Sequence, residues 1–320
     1  MDSLGPASLR GWTPIRVSTA GEPLIDWAIV DEQFTEPFFE QTIERAMRRP
    51  FNRVFARRTT LAALDGERAD EGVVPAGFIF HMSRCGSTLI AQMLAQLSSS
   101  IVLSEAQPFD ALFGLRRRIA GLDDETLAGR LRAMLNAIVR PRAAGQRLFV
   151  KFHAWHVLEL PLIARAFPQT PWAFVFRDPR AVLQSQMQTA GAEVVAGALD
   201  PTLLDIDPTA LAQIPQDEYA ARALAAFCKA ALRNGGLGRS AFVDYAALPE
   251  IVPQALATFF GVTPSATEAE RMREVTRLDT KGNRSDFQPR GEEQLPAGQE
   301  RLAAQWLDAL YLELRALALQ

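Results

Sequence analysis

With 320 residues, 48% hydrophobic and 22% charged, the chain is long enough to bury a substantial core, as one large domain or as a domain with an extension. A formal net charge of -3 leaves no general positive field to hold nucleic acid, and two cysteines, Cys85 and Cys228, are too few for a disulfide framework or a cysteine-rich metal site, which fits a reducing compartment. No run approaches the roughly 20 apolar residues of a membrane span, and the opening MDSLGPASLRGW lacks the apolar segment of a secretory signal, so the sequence reads as cytoplasmic, with no membrane and no nucleic-acid partner.

Residues 1–72 read as a helical N-terminal extension packed on the core, and residues 73–320 as the main domain. In the extension, Phe34, Phe38, Phe39, Ile43 and Met47 have the spacing of an amphipathic helix. Arg45, Arg48, Arg49, Arg53, Arg57 and Arg58 form a basic cluster, either a solvated helix face or a contact for an anionic acceptor or partner. The polar stretch 65–74, DGERADEGVV, reads as a linker.

The main domain opens on an apolar run, Gly77 to Phe80, read as a buried strand. Leu89, Ile90, Met93, Leu94 and Leu97 then mark one face of a helix. Between them lie Ser83, Arg84, Cys85, Gly86, Ser87 and Thr88. A strand-to-helix turn of small residues aims successive backbone N–H groups and the positive helix end into one concavity, which suits a phosphate. A nucleoside-triphosphatase loop of the G-x-x-x-x-G-K-[ST] type would need a lysine where Ser87 stands and a glycine where His81 stands, so a standard ATP or GTP enzyme is disfavoured.

Further along, Ile101–Leu103 reads as a second strand leading to Glu105. An acidic start at Asp123, Asp124 and Glu125 opens a helix with Leu127, Leu131, Leu135 and Ile138 on its stripe. Residues 147–151 and 173–176 read as the third and fourth strands and 241–243 as the fifth, with helices over 158–166 and 179–189. Residues 191–215 read as a surface connection or a lid over the acceptor. A closing helix over 299–319 places Leu302, Trp306, Leu310, Leu314 and Leu317 on one face. Alternating strands and helices predict a parallel sheet flanked by helices, with ligands at the carboxyl ends of the strands.

The stretch Ser83 to Leu89, SRCGSTL, resembles the 5′-phosphosulfate loop of the sulfotransferase family, P-[KR]-S-G-[ST]-[ST]-L, with Ser83 in place of the proline and Cys85 in place of the serine. Phe176 to Ser185, FRDPRAVLQS, resembles the family's R-[DN]-x-[RK]-x-x-x-x-S segment, and Val150 to His153, VKFH, its K-[TS]-H segment. Thr280 to Phe287, TKGNRSDF, is similar to R-K-G-x-x-G-D-[WF], and FVDYAAL around Tyr245 to V-x-Y-E-x-L. Lys151 and Lys281 are two of only three lysines in the chain, beside Lys229.

This resemblance, spanning about 78–287, implies a P-loop sulfotransferase-like fold and 3′-phosphoadenosine 5′-phosphosulfate (PAPS) as donor, with no metal. On it, Arg84, Cys85, Gly86, Ser87 and Thr88 hold the phosphosulfate. Arg177, Ser185, Lys281, Gly282 and Arg284 bind the 3′-phosphate, and Tyr245 lies near the adenosine. Arg84 and Lys151 neutralise charge on the transferring group. Two bases are implied: His153, as in cytosolic members, or Glu105, as in tyrosylprotein and related membrane members. Glu105 also has simpler readings, as a plain loop carboxylate or as a partner that orients Arg84. His156 reads as a surface or core histidine. The acceptor is a small molecule or a biopolymer. Two other classes remain open, a P-loop phosphotransferase and a donor-binding sensor or scaffold without catalysis.

Overall fold

The computed structural model describes residues 9–65, 73–139, 146–276 and 295–319. Residues 9–65 hold helices, as expected, but they are arranged on a small antiparallel sheet that the sequence did not suggest. Its strands β1 (Thr13–Ser18), β2 (Leu24–Ala28) and β3 (Arg57–Thr60) run in the order β1-β2-β3. β3 is Arg-Arg-Thr-Thr, polar on both faces, and finds its place by cross-strand partners: Trp27 Nε1 donates to Thr59 Oγ1 at 2.9 Å and Arg58 to Asp26 at 2.6 Å. Helices α1 (Phe39–Met47), α2 (Pro50–Val54) and α3 (Ala62–Asp65) lie around these strands in the chain. The arginine cluster is a solvated face in large part: Arg45 pairs with Glu32 and Glu36, Arg49 with Asp31 and Glu32, and Arg58 with Asp26. Most of the expected linker lies outside the described residues.

The main domain is a five-stranded parallel sheet in the order β5-β6-β4-β7-β8, formed by β4 (Gly77–His81), β5 (Ser100–Ser104), β6 (Arg147–Lys151), β7 (Trp172–Phe176) and β8 (Ser240–Asp244). Every residue of β4 and β7 is buried, as continuous apolar strands covered on both faces should be. In register, Ile79 of β4 lies beside Lys151 on one side and Ala173 on the other. The flanking helices are α4 (Ser87–Leu94), α5 (Gln107–Arg118), α6 (Asp124–Val139), α7 (Leu160–Ala166), α8 (Pro179–Gln188), α9 (Gln216–Arg233), α10 (Ala257–Phe259) and α11 (Ala266–Val275). The expected closing helix is two helices, α12 (Ala297–Trp306) and α13 (Asp308–Ala316), because Leu307 leaves helical geometry at φ -122°. Leu317 falls beyond α13 and is exposed.

The longest helix among the described residues, α9, had no counterpart in the sequence reading. Its buried face is largely alanine, which carries little hydropathic contrast, yet Tyr219, Leu224 and Phe227 are fully buried. Residues 191–215 form a surface connection of short 3-10 turns, pinned by buried Val194, Leu204 and Ile206. Among the described residues no helix is long and apolar enough to cross a membrane.

Candidate active site

The loop after β4 is built from backbone conformations that side chains seldom adopt. Ser83 (φ 75°), Arg84 (φ 52°) and Gly86 (φ 83°) lie in the left-handed region just before α4 starts at Ser87. Such geometry costs of order 1 kcal/mol or more per non-glycine residue and must be held by its surroundings. Ser83 N–H donates to His81 Nδ1 at 3.1 Å, the Ser83 hydroxyl donates to the buried Glu193 carboxylate, and Gln186 Nε2 donates to both Ser83 Oγ and Glu193, each at 2.9 Å. A proline, which the family pattern has at this position, could neither take this φ nor donate this bond. Gly86 is required twice: by its φ, and because a Cβ there would fall 2.5 Å from Leu248 Cδ1 and 3.1 Å from the Tyr245 ring. Arg84 Nη2 donates to Thr189 O at 2.6 Å. Cys85 is fully buried with its Sγ donating to Val175 O at 3.1 Å, and burial pushes its thiol up to about 12, so it offers the loop its backbone and no nucleophile.

On one side of this loop, Arg177 directly follows the end of β7. Its guanidinium lies 4.3 Å from the centre of the Tyr245 ring, at the end of β8, and that ring is the one packed against Gly86. Gly86, Arg177 and Tyr245, far apart in sequence, therefore meet. Two motif neighbours are structural. The Asp178 side chain caps α8 by accepting from Arg180 N–H at 2.8 Å, and the Arg180 guanidinium grips Asp308 at 2.6 and 2.9 Å and Glu300 at 2.7 Å, tying α12 and α13 to α8. Ser185 sits two turns into α8, half-buried. Lys281, Gly282 and Arg284 lie outside the described residues.

On the other side, the ends of β5 and β6 bring together Glu105, Lys151 and His153. Glu105 has φ 54° and its N–H donates to Lys151 O at 2.7 Å, which turns the carboxylate onto the Lys151 ammonium. Lys151 is only 1% exposed. The expectation that Glu105 orients Arg84 is corrected here: its oxygens meet Lys151, His81 and His153. His81 Nε2 lies 3.4 Å from Glu105 Oε1 and 3.0 Å from Phe152 O; since its Nδ1 accepts from Ser83, its proton is on Nε2, and burial draws its pKa down.

His153 Nδ1 is 3.4 Å from Glu105 Oε2, its Nε2 is 3.3 Å from Asp110 Oδ2, and its ring stacks on Trp155 at 4.3 Å. Burial alone would raise the Glu105 carboxyl, but the Lys151 ammonium, with His81 and His153, holds it far below the usual range. Burial disfavours charge on His153 too, yet Asp110 and then Glu105 outweigh it and hold its pKa above the ordinary value. His156, 2.5 Å from Asp110 Oδ1, is a core histidine at 1% exposure, and there burial wins and lowers its pKa.

Sequence reasoning missed several of these contributors. Asp110 sits in the first turn of α5, where an acid is ordinary. Phe38, from the extension, places its ring 5.3 Å from Lys151 Nζ. Glu40, next to it on α1, is open to solvent on one side; burial on the other raises its pKa, His153 draws it down, and Asp110 and Glu105 push it up again. Glu193 and Gln186 brace the loop from beneath.

The strand order explains the sorting. β4, with the anion loop, is central; β7 and β8 bring Arg177 and Tyr245 to one flank, and β6 and β5 bring Lys151, His153 and Glu105 to the other. This is an α/β protein in which the loop after β4 separates a cation-aromatic pair from a carboxylate-lysine-histidine cluster, all at the carboxyl ends of the strands. Residues 75–265 match the family model described as Sulfotransferase family, and the chain belongs to that family. Among solved structures, the sulfotransferase STF9 from Mycobacterium avium is similar at 13% identity and TM-score 0.49, over 78% of this chain and 80% of that one. The sulfotransferase domain of the Synechococcus PCC 7002 olefin synthase is similar at 18% identity and TM-score 0.44, over 74% and 97%. The sulfotransferase domain from the curacin biosynthetic pathway is similar at 15% identity and TM-score 0.43, over 73% and 98%. No curated protein matches the chain.

Proposed function

We propose that this protein moves a sulfuryl group from PAPS to a hydroxyl or amine of an organic acceptor by in-line displacement. The observation that carries the reading is the placing of Arg177 and Tyr245 beside Gly86 on one flank of β4, and of Glu105, Lys151 and His153 beside His81 on the other. The donor supplies an activated sulfuryl group on a phosphate; the chain supplies position and charge. Backbone N–H groups of Arg84 to Thr88 and the start of α4 hold the phosphosulfate. Arg177, beside Tyr245, serves the nucleotide end, with Ser185 and, outside the described residues, Lys281, Gly282 and Arg284.

Glu105 is the base in this reading. His153 faces a carboxylate from each ring nitrogen, and Asp110 and Glu105 outweigh burial and raise its pKa, which favours the imidazolium, the form with no lone pair to offer. Glu105 is ionised but made a weak base by Lys151. Drawing the Lys151 ammonium toward the departing oxygen relaxes that hold and raises the basicity of Glu105 as the acceptor proton must leave. The acceptor's oxygen or nitrogen forms a bond to sulfur, the bond from sulfur to the bridging oxygen breaks with its electron pair on that oxygen, and Glu105 takes the proton. Adenosine 3′,5′-bisphosphate is the other product.

A thermal-shift comparison tests the donor class: stabilisation by adenosine 3′,5′-bisphosphate is expected, and stabilisation by ADP with magnesium alone would overturn the reading in favour of a phosphotransferase. Turnover of PAPS over a panel of alcohols, phenols and amines separates an enzyme from a non-catalytic sensor, which would bind and never turn over.

A further inference from the structure

Asp110 enters the reading above only as one of the two carboxylates beside His153. It comes from the first turn of α5, five residues past Glu105, and its two oxygens face two histidines: Oδ2 lies 3.3 Å from His153 Nε2 and Oδ1 lies 2.5 Å from His156 Nε2. The other nitrogen of His153 lies 3.4 Å from Glu105 Oε2. A neutral imidazole carries one N–H, so at one of its two nitrogens a lone pair would face a carboxylate oxygen at 3.3–3.4 Å; an imidazolium instead sets a positive ring between the two carboxylates.

The charged and titratable groups around that ring agree. Glu105 faces it from the end of β5, Asp110 from α5, Lys151 from β6, His156 from the 3-10 helix Ala154–Glu159, and Glu40 from α1. Three carboxylates thus stand against one lysine and a buried histidine. The ring is fixed in plane by its stack on Trp155, 8° from parallel.

We propose that Asp110 is a positioning residue that keeps His153 as an imidazolium, and that this imidazolium, through Nδ1, holds Glu105 Oε2 toward the acceptor. His153 then orients the base and is not itself the base. The inference rests on Glu105 serving as base in sulfuryl transfer, but it makes a claim about His153 that can be measured without turnover.

The opposite roles of a charged and a neutral His153 predict opposite pH behaviour. If the imidazolium is needed, kcat/KM falls as pH rises through the His153 pKa, and Asp110→Asn, by removing the charge beside Nε2, moves that alkaline limb down by about one pH unit or more while the acid limb stays. If neutral His153 were the base, the rate would rise through the same pKa, and Asp110→Asn would move the acid limb down and increase activity at low pH. That result, or limbs that do not move, overturns the proposal. Asp110→Glu should restore the wild-type limb in part. Independently, NMR titration of the His153 ring, assigned by its disappearance in His153→Gln, should show a pKa above the free value of about 6.5 that drops in Asp110→Asn. An unmoved ring pKa in a folded variant overturns the hold by Asp110. Should Asp110→Asn not fold by circular dichroism, the same titration in Glu105→Gln decides: a drop supports the two-carboxylate clamp, and no drop overturns it. Absence of sulfuryl transfer by the wild-type protein would sink the proposed function, while the ring titration would still judge Asp110.

Discussion

Replacing Lys151 with methionine is the most informative perturbation of this site. The ammonium is 1% exposed and paired with a Glu105 carboxylate that is 16% exposed, so the substitution keeps the volume and strands a buried charge. Breaking a buried ion pair from one side costs about 3–5 kcal/mol. His81 and His153 remain near Glu105, at 3.4 Å each, which places the expected loss at the lower end, about 3 kcal/mol. The sign of its pH dependence follows from the depressed pKa of Glu105. In the wild type, stability from that depression is fully present above the unfolded carboxyl value of about 4.3 and is lost as pH falls through the folded value. In Lys151→Met the carboxylate is a penalty instead, and protonation relieves it. Denaturant unfolding of both proteins should therefore show a gap near neutral pH that begins to narrow above about 4.3, as the stranded carboxylate of the variant takes up its proton, and narrows further below it, as the wild type loses the stability of its lowered carboxyl. The same variant should lose about 10²–10³-fold in kcat, the size of a lost charge-stabilising donor, with the fold intact by circular dichroism. A gap independent of pH, or a near-normal rate, would refute the role assigned to the pair.

Three other substitutions separate structural from functional members. Gly86→Ala forces a side chain to φ 83° and into the Leu248 and Tyr245 side chains; a loss of about 1–3 kcal/mol and no thermal shift with adenosine 3′,5′-bisphosphate are expected, and a normal ligand shift would contradict the loop assignment. Arg177→Ala should weaken that nucleotide by an order of magnitude or so, for one charge-assisted contact of about 1.5–3 kcal/mol, whereas Arg180→Ala should leave nucleotide binding unchanged and lower Tm slightly through its contacts to Asp308 and Glu300. With its thiol pushed up to about 12 and its side chain inaccessible, Cys85 should resist iodoacetamide at pH 8 in the native protein and react only after unfolding; rapid native labelling would place it elsewhere.

Much of the candidate site's backbone was legible because its signals are local. The loop after β4 is announced by an apolar strand, six small or polar residues from Ser83 to Thr88, and a helix period beginning at Leu89. Arg177, Lys151 and Tyr245 each stand within a residue or two of a strand end, where a parallel sheet puts its ligands. The antiparallel strands at 13–18, 24–28 and 57–60 were not legible, since β3 has no apolar face of its own, and α9 hid in an alanine-rich stretch.

The sequence by itself determined which segments of the main domain become strands, to within a residue at each end, and that a turn of small residues leads from the first of them into a helix, because apolar runs and glycine turns act over a few residues. Only the tertiary structure decided the order β5-β6-β4-β7-β8, and with it that Gly86 meets Tyr245 and Arg177 while Glu105 meets Lys151, His81 and His153. Strand neighbours are chosen by hydrogen bonding and burial between segments far apart in the chain, so no local period encodes them. The same reason kept Asp110 and Phe38 out of view: their chemistry comes from what is packed beside them.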